Sequence, residues 1–177
     1  MKHFSMVFLL GFIFLLSNAS IGTAQFFEAG VEKLEPPITA PNFTLNKLGG
    51  GKISLKGLRG KIILVNFFVP WCEVCRKESS SFERMAEEYK IKGVAFILTA
   101  ARAKEKDLRE FKKEFHISLP ILMDRNGAVA KAYKVFGHHE TFFISREGKI
   151  VGKSFGIGSW PSASMRKLLE HLVAEDK

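Results

Sequence analysis

The sequence predicts one α/β domain built on a mixed sheet, parallel in the middle and antiparallel at its end. Three observations predict it. Ile62 to Val69 and Val94 to Leu98 are nearly continuous apolar runs, the pattern of strands buried on both faces. Each is followed by apolar residues at helical spacing: Phe82, Met85, Ala86 and Tyr89, then Leu108, Phe111 and Phe115. Near the end, Thr141 to Ser145 and Lys149 to Phe155 flank Arg146-Glu147-Gly148, a hairpin turn.

The elements follow in order. Phe43-Thr44-Leu45 and Ile53-Ser54-Leu55 alternate apolar with polar around Gly49-Gly50-Gly51 and read as an N-terminal β-hairpin extension. The strand at 62–69 comes next, then a helix over Glu78 to Lys90, the strand at 94–98 and a second amphipathic helix. Leu119 to Met123 suits a short strand and Ala128 to Tyr133 a short helix. After the C-terminal hairpin, Met165, Leu168, Leu169 and Leu172 give the last helix its core face. Pro161 lies near its start, where a missing N–H costs nothing.

The chain has 177 residues, 46% hydrophobic and 25% charged, the size of one globular domain. That composition excludes a disordered chain, and two cysteines exclude a disulfide-stapled mini-protein. Residues 1–24 read as a signal peptide: Lys2 and His3, an apolar run from Met6 to Leu16, then small residues ending in Gly22-Thr23-Ala24. Cleavage after Ala24 is expected, with an uncleaved membrane tether as the alternative, although the run is short for a span of about 20 residues. Removing residues 1–24 takes away only Lys2 among the charged side chains, so the net charge of +9 becomes about +8. The implied location is periplasmic or otherwise extracytoplasmic, where disulfides persist. Residues 25–40 read as a linker in which Pro36 and Pro37 interrupt any regular element, and 41–177 as the folded domain.

Both cysteines lie in Pro70-Trp71-Cys72-Glu73-Val74-Cys75, directly after the most buried strand and at the opening of the first long helix. A cysteine at a helix N-terminus faces backbone N–H groups that favour its thiolate. The second cysteine, one turn on, is within reach to close a disulfide. This is a dithiol that cycles: Cys72 attacks a substrate disulfide and Cys75 resolves the mixed disulfide. A structural disulfide this short would remove little chain entropy. A zinc site usually needs two such pairs.

From Pro41 to about Leu172 the chain resembles the thioredoxin-like family, in its exported TlpA/ResA/CcmG-like branch. The matching pieces are Ala40-Pro41-Asn42-Phe43-Thr44-Leu45, Gly60-Lys61, Trp71 to Glu78, Tyr133 to Gly137, Glu140-Thr141-Phe142-Phe143-Ile144, Gly148-Lys149-Ile150 and Gly158-Ser159-Trp160. The resemblance implies a thioredoxin fold and thiol–disulfide exchange with the thiols and disulfides of exported client proteins, apocytochrome c among them. It implies re-reduction by a membrane electron-donor thiol oxidoreductase, and no cofactor beyond the Cys72–Cys75 disulfide. Glu78 matches a family glutamate beside the cysteines; a carboxylate there raises thiol pKa values, the alternative being a solvated first-turn residue. Trp71 and Thr141 join the supporting residues. Glu73, between the cysteines, is expected on the surface, biasing partner choice or redox poise.

One departure stands out. The family places a cis-proline opposite the cysteines, and the alignment puts His139 there. A cis bond before a non-proline residue costs about 3–4 kcal/mol, so either the His138–His139 bond is trans with a rearranged loop or the fold holds a strained peptide. His138 and His139 are expected to tune the thiolate. Alternatively, Cys72, Cys75 and His139 form a soft three-ligand copper or zinc site. That set is similar in ligand type to the site of Sco-type copper chaperones, whose cysteines are one residue further apart. A redox-inactive client-binding module is the remaining alternative. A peroxidase of the peroxiredoxin type would need Thr or Ser where Val69 stands. Nucleic-acid binding is not expected: Lys104, Lys106, Arg109, Lys112 and Lys113 read as a solvated helix face.

Overall fold

The computed structural model describes residues 22–137, 139–156 and 160–175. Eight strands form one sheet: β1 (Glu32–Thr39), β2 (Thr44–Lys47), β3 (Lys52–Ser54), β4 (Ile62–Phe68), β5 (Val94–Ala101), β6 (Ile121–Asp124), β7 (Glu140–Ile144) and β8 (Lys149–Phe155). Four helices follow their strands: α1 (Glu73–Tyr89), α2 (Glu105–Glu114), α3 (Ala128–Ala132) and α4 (Ala163–Glu175). The strand order is β1-β8-β7-β4-β5-β6-β2-β3. The β4–β5 and β5–β6 pairs are parallel, and every other pair is antiparallel.

The sheet is mixed as the periodicity predicts, and the fold is the thioredoxin fold. Every residue of β4 is buried, which is why its sequence shows no alternation. Ile62, Leu64 and Phe68 face one core with α1, α2 and α4; Ile63, Val65 and Phe67 face the other with Phe142, Ile144 and Tyr133. The predicted hairpin is β2–β3. It lies beyond β6, extending the parallel edge of the sheet.

Residues 25–40 need a correction. Expected to hold no regular element, they contain the end of a helical stretch over residues 22–28 and the whole of β1. The prolines are tolerated because β1 is an edge strand and its ladder to β8 breaks between Lys33 and Ile38. Pro36 and Pro37 occupy that irregular stretch, where a missing N–H breaks no ladder bond. Phe26 is buried against Gly152: a Cβ there would lie 2.7 Å from its ring, so only glycine permits this approach. Residues 1–21 of the expected signal peptide lie outside the described residues. Among the described residues, no helix is long and apolar enough to cross a membrane.

α1 and α4 are tied at the end remote from the cysteines. Arg166 holds the Glu88 carboxylate with both ends of its guanidinium, Nε to Oε1 at 2.8 Å and Nη2 to Oε2 at 2.9 Å. The hydrogen bond from Arg166 holds the Glu88 carboxyl below its ordinary range. A depressed folded-state pKa adds stability that is complete above the unfolded value, about 4.3, and is lost as pH falls through the folded value. Both side chains are more than a third exposed, so the contribution is small. Glu88→Gln is expected to lose about 0.5 kcal/mol at neutral pH, with the difference from wild type narrowing as the pH falls into the acid range. Urea unfolding at neutral and acid pH checks it; a difference that persists in acid contradicts the assignment.

Candidate active site: a cysteine pair at a helix N-terminus

β4 ends at Phe68, and Val69-Pro70-Trp71 turns the chain into α1. The turn is closed by the Cys72 N–H donating to the Val69 carbonyl at 3.1 Å. Cys72 is the N-cap of α1, extended at φ −76° and ψ 113°, and its Sγ accepts the Cys75 N–H at 3.1 Å. Helix start and sulfur are thus joined directly: a capping position usually held by Ser, Thr, Asp or Asn is held here by a thiol group. Helix α1 begins at Glu73, five residues before the start at Glu78 that the apolar stripe suggests, because the cap and not the stripe sets its first turn.

Cys72 and Cys75 are joined as a disulfide, with Cα atoms 5.2 Å apart. Their environments differ. Cys72 is half-buried at the rim, while Cys75 is 7% exposed and belongs to the core face of α1. Cys72 is therefore the more accessible sulfur, with Cys75 behind it.

The facing wall comes from β7 and β8. The His139 N–H donates to the Phe67 carbonyl at 2.8 Å, and its carbonyl accepts the Gly156 N–H at 3.0 Å. This holds His139 at φ 110°, a region a side chain seldom occupies and one that collects at functional sites. A ligand atom of His139 and the two sulfurs all lie within 4.8 Å of one another. Gly156, at φ 56°, leaves room for the ring: a Cβ there would lie 2.9 Å from His139 Cδ2 and 3.5 Å from Glu78 Oε1. His138, and with it the geometry of the His138–His139 bond, lies outside the described residues.

Glu78 is buried rather than solvated. It lines, with Cys75, Asn66, His139 and Trp160, a cavity of about 10 Å³, the space of a single water. Thr141 is buried on β7, where its Oγ1 accepts from Asn66 Nδ2 at 2.8 Å. Glu73 projects to the surface and pairs with Lys77 at 2.7 Å; that hydrogen bond holds its carboxyl below the ordinary range. Trp71 is 60% exposed and lines an open groove with Val135 and Phe136.

Two residues of the site escape sequence reasoning. Glu140 is buried, and its Oε1 accepts the N–H groups of Phe136 at 2.6 Å and Gly137 at 2.8 Å, clamping the loop that leads to His139. Its signal was a carboxylate opening a run of apolar strand residues. Asn66 interrupts the apolar run of β4, and that interruption marks the Thr141 bond.

The chain has known counterparts. The family model described as "AhpC/TSA family" matches residues 38–153. The chain belongs to the AhpC/TSA family. It is 32% identical over 152 residues to the thiol-disulfide oxidoreductase ResA of Bacillus cereus, covering 85% of this chain and 88% of the relative. It is 34% identical over 133 residues to the thioredoxin-like protein YneN of Bacillus subtilis, covering 74% of this chain and 76% of that one. Among solved structures, a thiol:disulfide interchange protein from a Bacteroides species superposes with a TM-score of 0.67 at 25% identity, covering 78% of this chain and 90% of that one. This AhpC/TSA family member is a thiol–disulfide oxidoreductase of thioredoxin-like fold.

Proposed function

We propose that the enzyme acts outside the cytoplasm as a reductant of disulfides in client proteins, with Cys72 as nucleophile and Cys75 as resolver. The observation that carries the direction is Glu78, buried in the same small cavity as Cys75. An ionised carboxylate there disfavours the thiolate. A pair in which Cys75 is not stabilised as thiolate gives up electrons more readily than the strongly oxidising proteins, whose reduced form is stabilised.

The cycle balances. The Cys72 thiolate attacks one sulfur of a client disulfide and expels the other as a thiolate, which takes up a proton. The Cys75 thiolate then attacks Cys72 Sγ and releases the second client sulfur. Two electrons have passed to the client, and the enzyme is left with the Cys72–Cys75 disulfide. A membrane thiol oxidoreductase restores the dithiol. Export rests on the apolar run before residue 24. A fitting client class is the disulfide form of a C-x-x-C-H segment, which haem attachment requires in its reduced form. The test is a stoichiometric exchange: pre-reduced enzyme is expected to reduce a protein disulfide and finish oxidised. Oxidised enzyme that instead drives a client dithiol to disulfide would reverse the direction.

The surface around Cys72 supports a protein client. Trp71, Val74, Phe136 and Phe155 are large apolar side chains left exposed. The groove beside Trp71 has a volume of about 360 Å³ and is lined also by Arg102 and Lys131. Aromatic anchors of this kind dominate interface energies. Trp71→Ala is expected to raise KM for a protein disulfide about tenfold, equivalent to about 1.4 kcal/mol. For a small aromatic disulfide, KM should rise much less. Equal losses on both substrates would place Trp71 in the exchange chemistry instead.

A further inference from the structure

We propose that the reduced Cys72–Cys75 pair and His139 form a site for Cu(I). The inference uses the same cysteines as the proposed reductase cycle but not the direction of that cycle. Three observations carry it.

First, donors from two separate parts of the chain converge. Cys72 and Cys75 come from the start of α1 and His139 from the residue before β7, and their ligand atoms lie within 4.8 Å of one another. An ion held about 2.0–2.3 Å from nitrogen and sulfur fits among donors roughly 3.5–4 Å apart, so the bonded sulfurs must part while His139 already lies within reach. Opening the disulfide frees both sulfurs to do so.

Second, the backbone holds the imidazole in place at a cost. His139 is fixed at φ 110° by hydrogen bonds to Phe67 and Gly156. Gly156 supplies the space the ring fills. Its Nδ1 is buried with no hydrogen-bond partner among the described residues, so part of the imidazole's bonding capacity is open to a metal.

Third, the donor set selects the ion. Two thiolates and one imidazole are soft donors that suit Cu(I) at three-coordination. Zinc prefers four ligands in a tetrahedron. The half-buried Cys72 leaves an entry path, and the buried Cys75 shields the ion from water.

The chemistry balances without electron transfer to the metal. A phosphine and one water convert the disulfide into two thiols and a phosphine oxide. Cu(I) then displaces the two thiol protons, and the sulfurs remain thiolates. The oxidised protein has no thiolates to offer, so the site exists only in the reduced state. Copper and client disulfide compete for the same sulfurs.

The experiment titrates Cu(I) anaerobically into phosphine-reduced protein against a chromogenic copper chelator. The proteins are wild type, His139→Ala, His139→Gly and the Cys72→Ser/Cys75→Ser double variant. His139→Gly is included because glycine adopts φ 110° without strain. One Cu(I) per reduced chain is expected, and none in the disulfide form. Both His139 variants should bind at least about tenfold more weakly, since even outer partners of metal ligands matter that much. X-ray absorption should show two sulfurs and one nitrogen in wild type and lose the nitrogen in His139→Gly. Unchanged affinity in the folded His139→Gly variant, or no binding by reduced wild type, overturns the proposal. Disulfide exchange is measured on the same metal-free samples. Exchange without copper binding overturns this site alone; copper binding without exchange overturns the reductase reading alone.

Discussion

Cys72→Ser is expected to reduce the rate of disulfide exchange to that of the uncatalysed reaction, while Cys75→Ser accumulates mixed disulfides with clients. The difference follows from position. Cys72 caps α1 at the rim, where the Cys75 N–H reaches its sulfur and a client can approach. A serine oxygen retains the cap but, at its ordinary pKa, supplies no comparable nucleophile. Cys75 is buried one turn behind, so its loss leaves the first attack intact and removes the second. The mixed disulfide then has no internal exit and persists. Thiol trapping followed by non-reducing electrophoresis reads both outcomes. Full exchange by Cys72→Ser, or no trapped species with Cys75→Ser, would contradict the order of the two cysteines.

His139→Pro is expected to destabilise the protein by roughly 2–4 kcal/mol, although proline is the residue the family resemblance leads one to expect there. Proline fixes φ near −65° and has no N–H. Position 139 has φ 110° and spends its N–H on the Phe67 carbonyl at 2.8 Å. The lost bond accounts for about 1 kcal/mol and the dihedral conflict for about 1–3 kcal/mol. A fall in Tm of about 5–10 °C should follow. A higher Tm in His139→Pro would mean that the loop takes up a proline-compatible path and that the arrangement at His139 is not required by the fold.

The contrast between these two positions explains what the sequence made legible. Cys72 and Cys75 were readable because their chemistry depends on local features alone, a three-residue spacing and a helix start. The buried strands were readable for a similar reason: β4 has apolar residues on both faces because both faces are covered. β1 was not readable, since its two prolines contradict a strand unless it lies at an edge, and edge position is set by topology. Glu78 was ambiguous because one turn of helix cannot show whether the residue faces solvent or the cavity beside Cys75. Glu140 was missed because its partners, Phe136 and Gly137, depend on the path of a loop. The position of His139 was readable, but its conformation was not, because Phe67 on β4 and Gly156 just after β8 impose it from elsewhere in the chain.

The most direct test of the central claim is the midpoint potential of the Cys72/Cys75 couple. It is measured on metal-free protein by thiol trapping across graded dithiol buffers. A reversible two-electron couple at or below about −270 mV is expected, the range of a reducing dithiol. A couple near about −120 mV would make the protein an oxidant and contradict the role given to Glu78. Absence of any reversible couple would contradict the exchange mechanism itself.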